Sequence, residues 1–157
     1  MTHAYYLRNE QEDSEGRMAK WDFLPNWREL MDAGEDSKRG YVAGDKLVLV
    51  NDKPETFNST EDENLTDIEI AEWMFALYNR GSGREREFAG PSMSVGDLVV
   101  LVGVWSNGAV QKGVTVLQVA DCGWKVLNPV LTDAKMIFNV LPLPATAINF
   151  LELSRRA

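Results

Sequence analysis

The sequence predicts an α+β fold: a twisted antiparallel sheet or partly closed small β-barrel, with one buried amphipathic helix over residues 66–79 and short flanking helices. Three observations predict it. The run Leu98 to Trp105 (LVVLVGVW) is continuously apolar and long enough for a strand buried on both faces. Val114 to Val119 returns after the turn signal Ser106-Asn107-Gly108. The run Thr66 to Asn79 (TDIEIAEWMFALYN) lacks Pro and Gly and sets Ile68, Ala71, Phe75 and Tyr78 on one face, with Ile70, Trp73, Met74 and Leu77 widening the apolar arc. At 157 residues and 45% hydrophobic, the chain suits one domain, 1–157, with a core of its own.

Taken in order, residues 1–8 contain Tyr5, Tyr6 and Leu7, enough for a short edge strand, and Asn9 to Gly16 reads as a polar loop. Pro25, the helical spacing of Trp27, Leu30 and Met31, and Gly34 as a stop predict a short helix over 25–33, with Trp21 and Trp27 as packing residues. Gly44-Asp45 leads Leu47 to Val50 into a strand, as Gly96-Asp97 leads Leu98 onward. Glycine tolerates the positive φ of such a turn, and the aspartate side chain accepts a nearby backbone N–H. Residues 51–65 read as a loop holding the acidic knot Glu61, Asp62 and Glu63, which the positive end of the next helix dipole favours. Thr66 with Glu69 three residues on is a capping box, and Gly81 supplies the stop.

Residues 80–90 (RGSGREREFAG) read as a solvated linker and form the one locally basic patch. Arg80, Arg84 and Arg86 are the candidate anion-binding set. Gly81 and Gly83 do not make a phosphate loop, because no G-x-G-x-x-G or G-K-[ST] is present and the segment leaves a helix rather than following a strand. Asp121 to Gly123 bends the chain into Trp124 to Leu127, Met136 to Leu141 fits a further strand, and residues 145–153 fit a last short helix before Arg155 and Arg156.

The net charge is −8, and it is unevenly placed: residues 1–72 carry 18 acidic against 8 basic residues, whereas residues 73–157 carry 6 against 8. An acidic half repels phosphates, which argues against nucleic acid and for a protein as partner. Glu61, Asp62, Glu63 and Asp67 are the candidate partner-binding residues. One cysteine, Cys122, excludes an internal disulfide or multi-cysteine zinc site, and the lone histidine, His3, sits in a stretch expected to fray. No catalytic residue, metal or cofactor is therefore assigned; a hydrolase using two carboxylates is the enzymatic alternative. No signal-like start and no run of about 18 apolar residues is present, so a cytoplasmic protein without a membrane contact is expected.

The succession Leu77-Tyr78-Asn79, then Ser92-Met93-Ser94-Val95-Gly96-Asp97-Leu98-Val99, a returning strand and Gly123-Trp124 resembles the small phage and mobile-element proteins with an R-S-[MT]-S-V-G-D-V motif, the YodL-like domain. The resemblance covers residues 66–127, and Pro91 stands where that group usually has arginine. It implies a phage or mobile-element origin and makes Ser92, Ser94, Gly96 and Asp97 a structural motif. The expected function is that of a non-enzymatic accessory protein binding a host or phage protein through an acidic surface. The alternatives are an acidic nucleic-acid mimic that blocks a DNA-binding or defence protein, and an RNA- or DNA-binding module like the barrel associated with pseudouridine synthases.

Overall fold

The strand expected at the edge lies inside the sheet. The computed structural model describes residues 1–10, 47–58, 65–105, 107, 110–120, 123–126, 137 and 140–142. Its elements are β1 (Thr2–Asn9), β2 (Leu47–Leu49), β3 (Glu55–Phe57), α1 (Asp67–Leu77), β4 (Leu98–Val104), β5 (Val110–Val119) and β6 (Trp124–Val126). All strand pairs are antiparallel, in the order β2-β1-β4-β5-β6. β1 runs along β4 from Thr2↔Gly103 to Leu7↔Leu98, and its other edge is shared by β2 and β3. His3 is thus not frayed: it sits in β1 between Val102 and Thr56. Apolar burial explains the difference, since Ala4, Tyr5, Tyr6 and Leu7 are all buried and hold the terminus in the core.

Residues 51–65 are likewise not all loop, because Glu55–Phe57 pairs with Thr2 to Ala4. The break between β2 and β3 is bridged by one side chain. The Tyr6 backbone N–H donates to Asn51 Oδ1 at 2.7 Å, and Asn51 Nδ2 donates to the carbonyls of Ala4 and Lys53 at 3.1 and 3.2 Å. Asn51 therefore supplies the bonds that a continuous strand would have made, which buried backbone groups require.

β4 is buried along its whole length, and its alternation divides the core. Leu98, Val100 and Val102 face one side with Tyr5, Leu7, Val114, Val116, Ile137 and Leu141. Val99 and Leu101 face the other with Ala4, Tyr6, Met93, Leu117 and Val119, beneath Ile70, Ala71, Met74 and Tyr78. The run ends one residue earlier than expected, leaving Trp105 60% exposed. Ile137 and Val140 are helical rather than extended, and the spacing of Ile137, Val140 and Leu141 puts all three against one core face.

α1 begins as the sequence predicts. Thr66 Oγ1 accepts the Glu69 N–H at 3.2 Å, and Glu69 Oε1 accepts the Thr66 N–H at 3.3 Å. Only one stripe of the helix is buried, however: Ile68 is 49% and Trp73 39% exposed, and Phe75 is half-buried, edge-on to Trp124 at 6.4 Å. A helix resting on a sheet covers one stripe, so the widest part of its apolar arc faces out.

The described strands form an open sheet and do not close into a barrel. No helix among the described residues is long and apolar enough to cross a membrane. The expected helices over 25–33 and 145–153, Trp21, Trp27, the Gly44-Asp45 turn and Cys122 lie outside the described residues.

Candidate functional site

The motif Ser92, Ser94, Gly96 and Asp97 is assembled into a buried junction. Gly96 takes φ +90°, which favours glycine, and turns the chain into β4. Its carbonyl accepts from Asn9 Nδ2 at 3.3 Å and Gln118 Nε2 at 3.1 Å. Asp97 is fully buried. Its Oδ2 accepts the Tyr6 hydroxyl at 2.9 Å and the Ser94 N–H at 3.0 Å, and its Oδ1 accepts the Asn9 N–H at 3.0 Å. Burial, then the charge of Asp97 and the bond to it, push the Tyr6 phenol well above the ordinary tyrosine range, so it stays a donor. Ser92 Oγ accepts the Arg80 N–H at 2.9 Å. Gly96 and Asp97 are buried, while Ser92 and Ser94 are partly exposed.

Between α1 and this junction, residues 79–92 are solvent-exposed over most of their length, as expected, but close on themselves as an Ω-loop. The Met93 N–H donates to the Tyr78 carbonyl at 2.8 Å, drawing the ends together. The loop also caps the helix: Ser82 Oγ donates to the Ala76 carbonyl at 2.6 Å and the Arg86 N–H to the Leu77 carbonyl at 2.7 Å, using carbonyls that have no partner within the helix. Arg8, an almost fully buried β1 residue that sequence reasoning passed over, ties the far limb down. Its Nη2 donates to the carbonyls of Ala89 and Pro91 at 2.7 and 3.1 Å. Gly90 lies between them with φ +85°, where a Cβ would run into the guanidinium.

The three arginines expected to bind an anion are aimed at three different protein groups. Arg80 donates to the carbonyls of Gly90 and Phe88 and lies 4.2 Å above the Phe88 ring. Arg86 grips Glu55 with two bonds of 3.1 Å, and the Tyr78 hydroxyl donates to the same carboxylate at 3.0 Å. The bonds from Arg86 to Glu55, and then the Glu55 charge, raise the Arg86 pKa, while burial first and Glu55 second raise that of Tyr78. Arg84 alone is left facing outward, its guanidinium 4.5 Å over the exposed Trp73 ring.

Arg84, Trp73, Glu69, Glu72 and Ala76 line a shallow groove of about 280 Å³ between α1 and the Ω-loop. Of the expected partner-binding residues, Asp67 stands partly buried in the first turn of α1, adjoining this surface in sequence. Glu61, Asp62 and Glu63 lie outside the described residues. A second groove of similar volume is lined by Asn51, Asp52, Lys53, Glu55, Tyr78 and Arg86, but its central charges are matched within the chain. Comparisons with protein-family models, curated proteins and solved structures give no match for the chain.

Proposed function

We propose that the chain is a non-enzymatic accessory protein of a phage or mobile element that binds a host or phage protein in the host cytoplasm through an acidic surface. The observation that carries the reading is the outer face of α1, where Ile68 and Trp73 stand exposed among the carboxylates of Glu69 and Glu72. Exposed tryptophan within polar surroundings is the composition of a protein interface, because an indole supplies a large contact area with few rotors to fix. The origin in a phage or mobile element rests on the resemblance carried by Ser92 to Asp97. In the sequence, the carboxylates Glu61, Asp62, Glu63 and Asp67 precede this face.

The test is affinity capture by the tagged full chain from a host lysate, beside the variant carrying E61A, D62A and E63A. The parent is expected to retain a defined protein that the variant loses. Capture of the same protein in equal amount by both forms, or of none beyond the tag control, would sink the acidic-surface reading.

A further inference from the structure

We infer that the groove between α1 and the Ω-loop is where the partner docks, and that its occupant is a basic segment of that partner presenting a lysine or arginine beside an apolar side chain. This rests on the protein-binding reading and adds its place and its chemistry. Glu69, Glu72, Trp73 and Ala76 follow the helical spacing i, i+3, i+4, i+7, so one stripe of α1 presents two carboxylates, an indole and a small residue to the groove.

The charges decide the sign of the occupant. Glu69 Oε1 accepts from Thr66, and Glu72 Oε1 accepts the Trp124 indole N–H at 3.1 Å. The second oxygen of each carboxylate takes no hydrogen bond among the described residues, and neither residue forms an ion pair there. Arg84 is the one cation of the lining, and its guanidinium lies against the face of the Trp73 ring. Two carboxylates against one cation, in a chain of net charge −8, attract a cation and repel a phosphate or an acidic peptide. Trp73 and Ala76 supply the apolar contact beside it, and Trp73 is already steadied by Arg84, so little of its motion remains to be lost on binding.

The proposal is tested by fluorescence anisotropy of a short labelled peptide of lysines and leucines, with a glutamate-leucine peptide beside it, titrated with the full chain at low salt. E69Q/E72Q removes both charges from the groove yet keeps the fold, since glutamine also serves in a capping box and its amide oxygen still faces Trp124. D52N/E87Q removes two exposed charges elsewhere and matches the change in net charge. The lysine peptide is expected to bind about tenfold or more weakly to E69Q/E72Q, whereas D52N/E87Q stays within about twofold of the parent. Equal weakening of both variants would show attraction by net charge alone and overturn the groove, as would preferential binding of the glutamate peptide. Loss of the lysine peptide only in E61A/D62A/E63A would overturn the groove while leaving the acidic-surface reading standing. Failure of the parent to bind the lysine peptide at all would also overturn it, with the lysate capture still deciding the broader reading.

Discussion

Asp97 and Arg84 are both charged groups beside an aromatic ring, and the chain treats them in opposite ways. The Asp97 carboxylate is fully buried and receives three hydrogen bonds, from Tyr6, Asn9 and Ser94. The Arg84 guanidinium rests on an exposed tryptophan and donates to no acceptor among the described residues. A buried carboxylate is tolerated only when the protein replaces its water, so Asp97 is a fastening between β1 and the entry to β4. The Arg84 guanidinium, by contrast, lies against the face of an exposed ring, where water still solvates it. Gly96 and Asp97, which stand out in the sequence, are thus built into the scaffold, whereas Trp73 and Arg84 are exposed.

The sharpest way to break that division is Asp97→Ala. It strands the Tyr6 hydroxyl and two backbone N–H groups in the core, so a loss of about 3–5 kcal/mol is expected in urea unfolding, at the upper end for a single substitution. A loss below about 1 kcal/mol would show that water replaces the carboxylate and that the junction is not a fastening. Asn51→Ala tests the other buried polar bridge. With the Tyr6 N–H and Ala4 carbonyl left without their partner, about 2–3 kcal/mol should go, and hydrogen exchange at Tyr6 should rise more than at Leu101 in β4. Gly90→Ala forces Arg8 away and puts a side chain at φ +85°, which should cost about 1–3 kcal/mol in the same measurement.

How much of this was legible in the sequence depended on how far apart the partners lie. Thr66 and Glu69 are three residues apart, and their capping box was readable because both halves of the device sit in one turn. Gly96-Asp97 is readable as a turn into a buried strand, but two of the donors to Asp97 are Tyr6 and Asn9, which only the fold brings close. The sequence predicts β1 as an edge because a terminus usually frays; the apolar pair Tyr6-Leu7 is visible there, yet the strands on either side of it are not. β3 was missed because three residues after a proline carry no period, and its place is held partly by Asn51. The arginines of the loop were seen as a basic patch, but composition cannot show that Phe88 and Gly90 hold Arg80 and that Glu55 holds Arg86. Arg8 had a faint signal, an arginine amid a strand's apolar residues, with Gly90 as its distant counterpart.

The two regions should also part in their pH dependence. The Tyr6 phenol has a folded pKa raised above its ordinary value of 10.0, chiefly by burial and then by Asp97. The folded state therefore keeps a proton that the unfolded chain releases. The stability linked to Tyr6 is complete below pH 10.0 and is lost as pH climbs above it, at about 1.4 kcal/mol per pH unit for this one group. Tyr6→Phe should flatten the alkaline limb of stability against pH, although it starts lower at neutral pH through the lost bond to Asp97. An unchanged slope would mean that Tyr6 does not keep its proton and that the junction admits water.

The smallest expected change in stability comes from Trp73→Ala, and it sharpens the comparison most. Trp73 is 39% exposed, its ring meets Arg84 on the outer side of α1, and the helix is held to the sheet by Ile70, Ala71, Met74 and Tyr78 instead. Removing the indole forfeits one exposed cation–π contact, worth about 0.5–1 kcal/mol, while alanine is the better helix former and returns part of it. The net loss in urea unfolding should be about 0.5 kcal/mol or less. Met74→Ala, one residue along and fully buried, should cost about 2–5 kcal/mol. If the two substitutions cost the same, Trp73 belongs to the core, and the outer face of α1 loses its claim as a surface. If they differ as stated, the chain keeps a large aromatic group in water at almost no benefit to its own folding, which is what a residue held for contact with another molecule looks like.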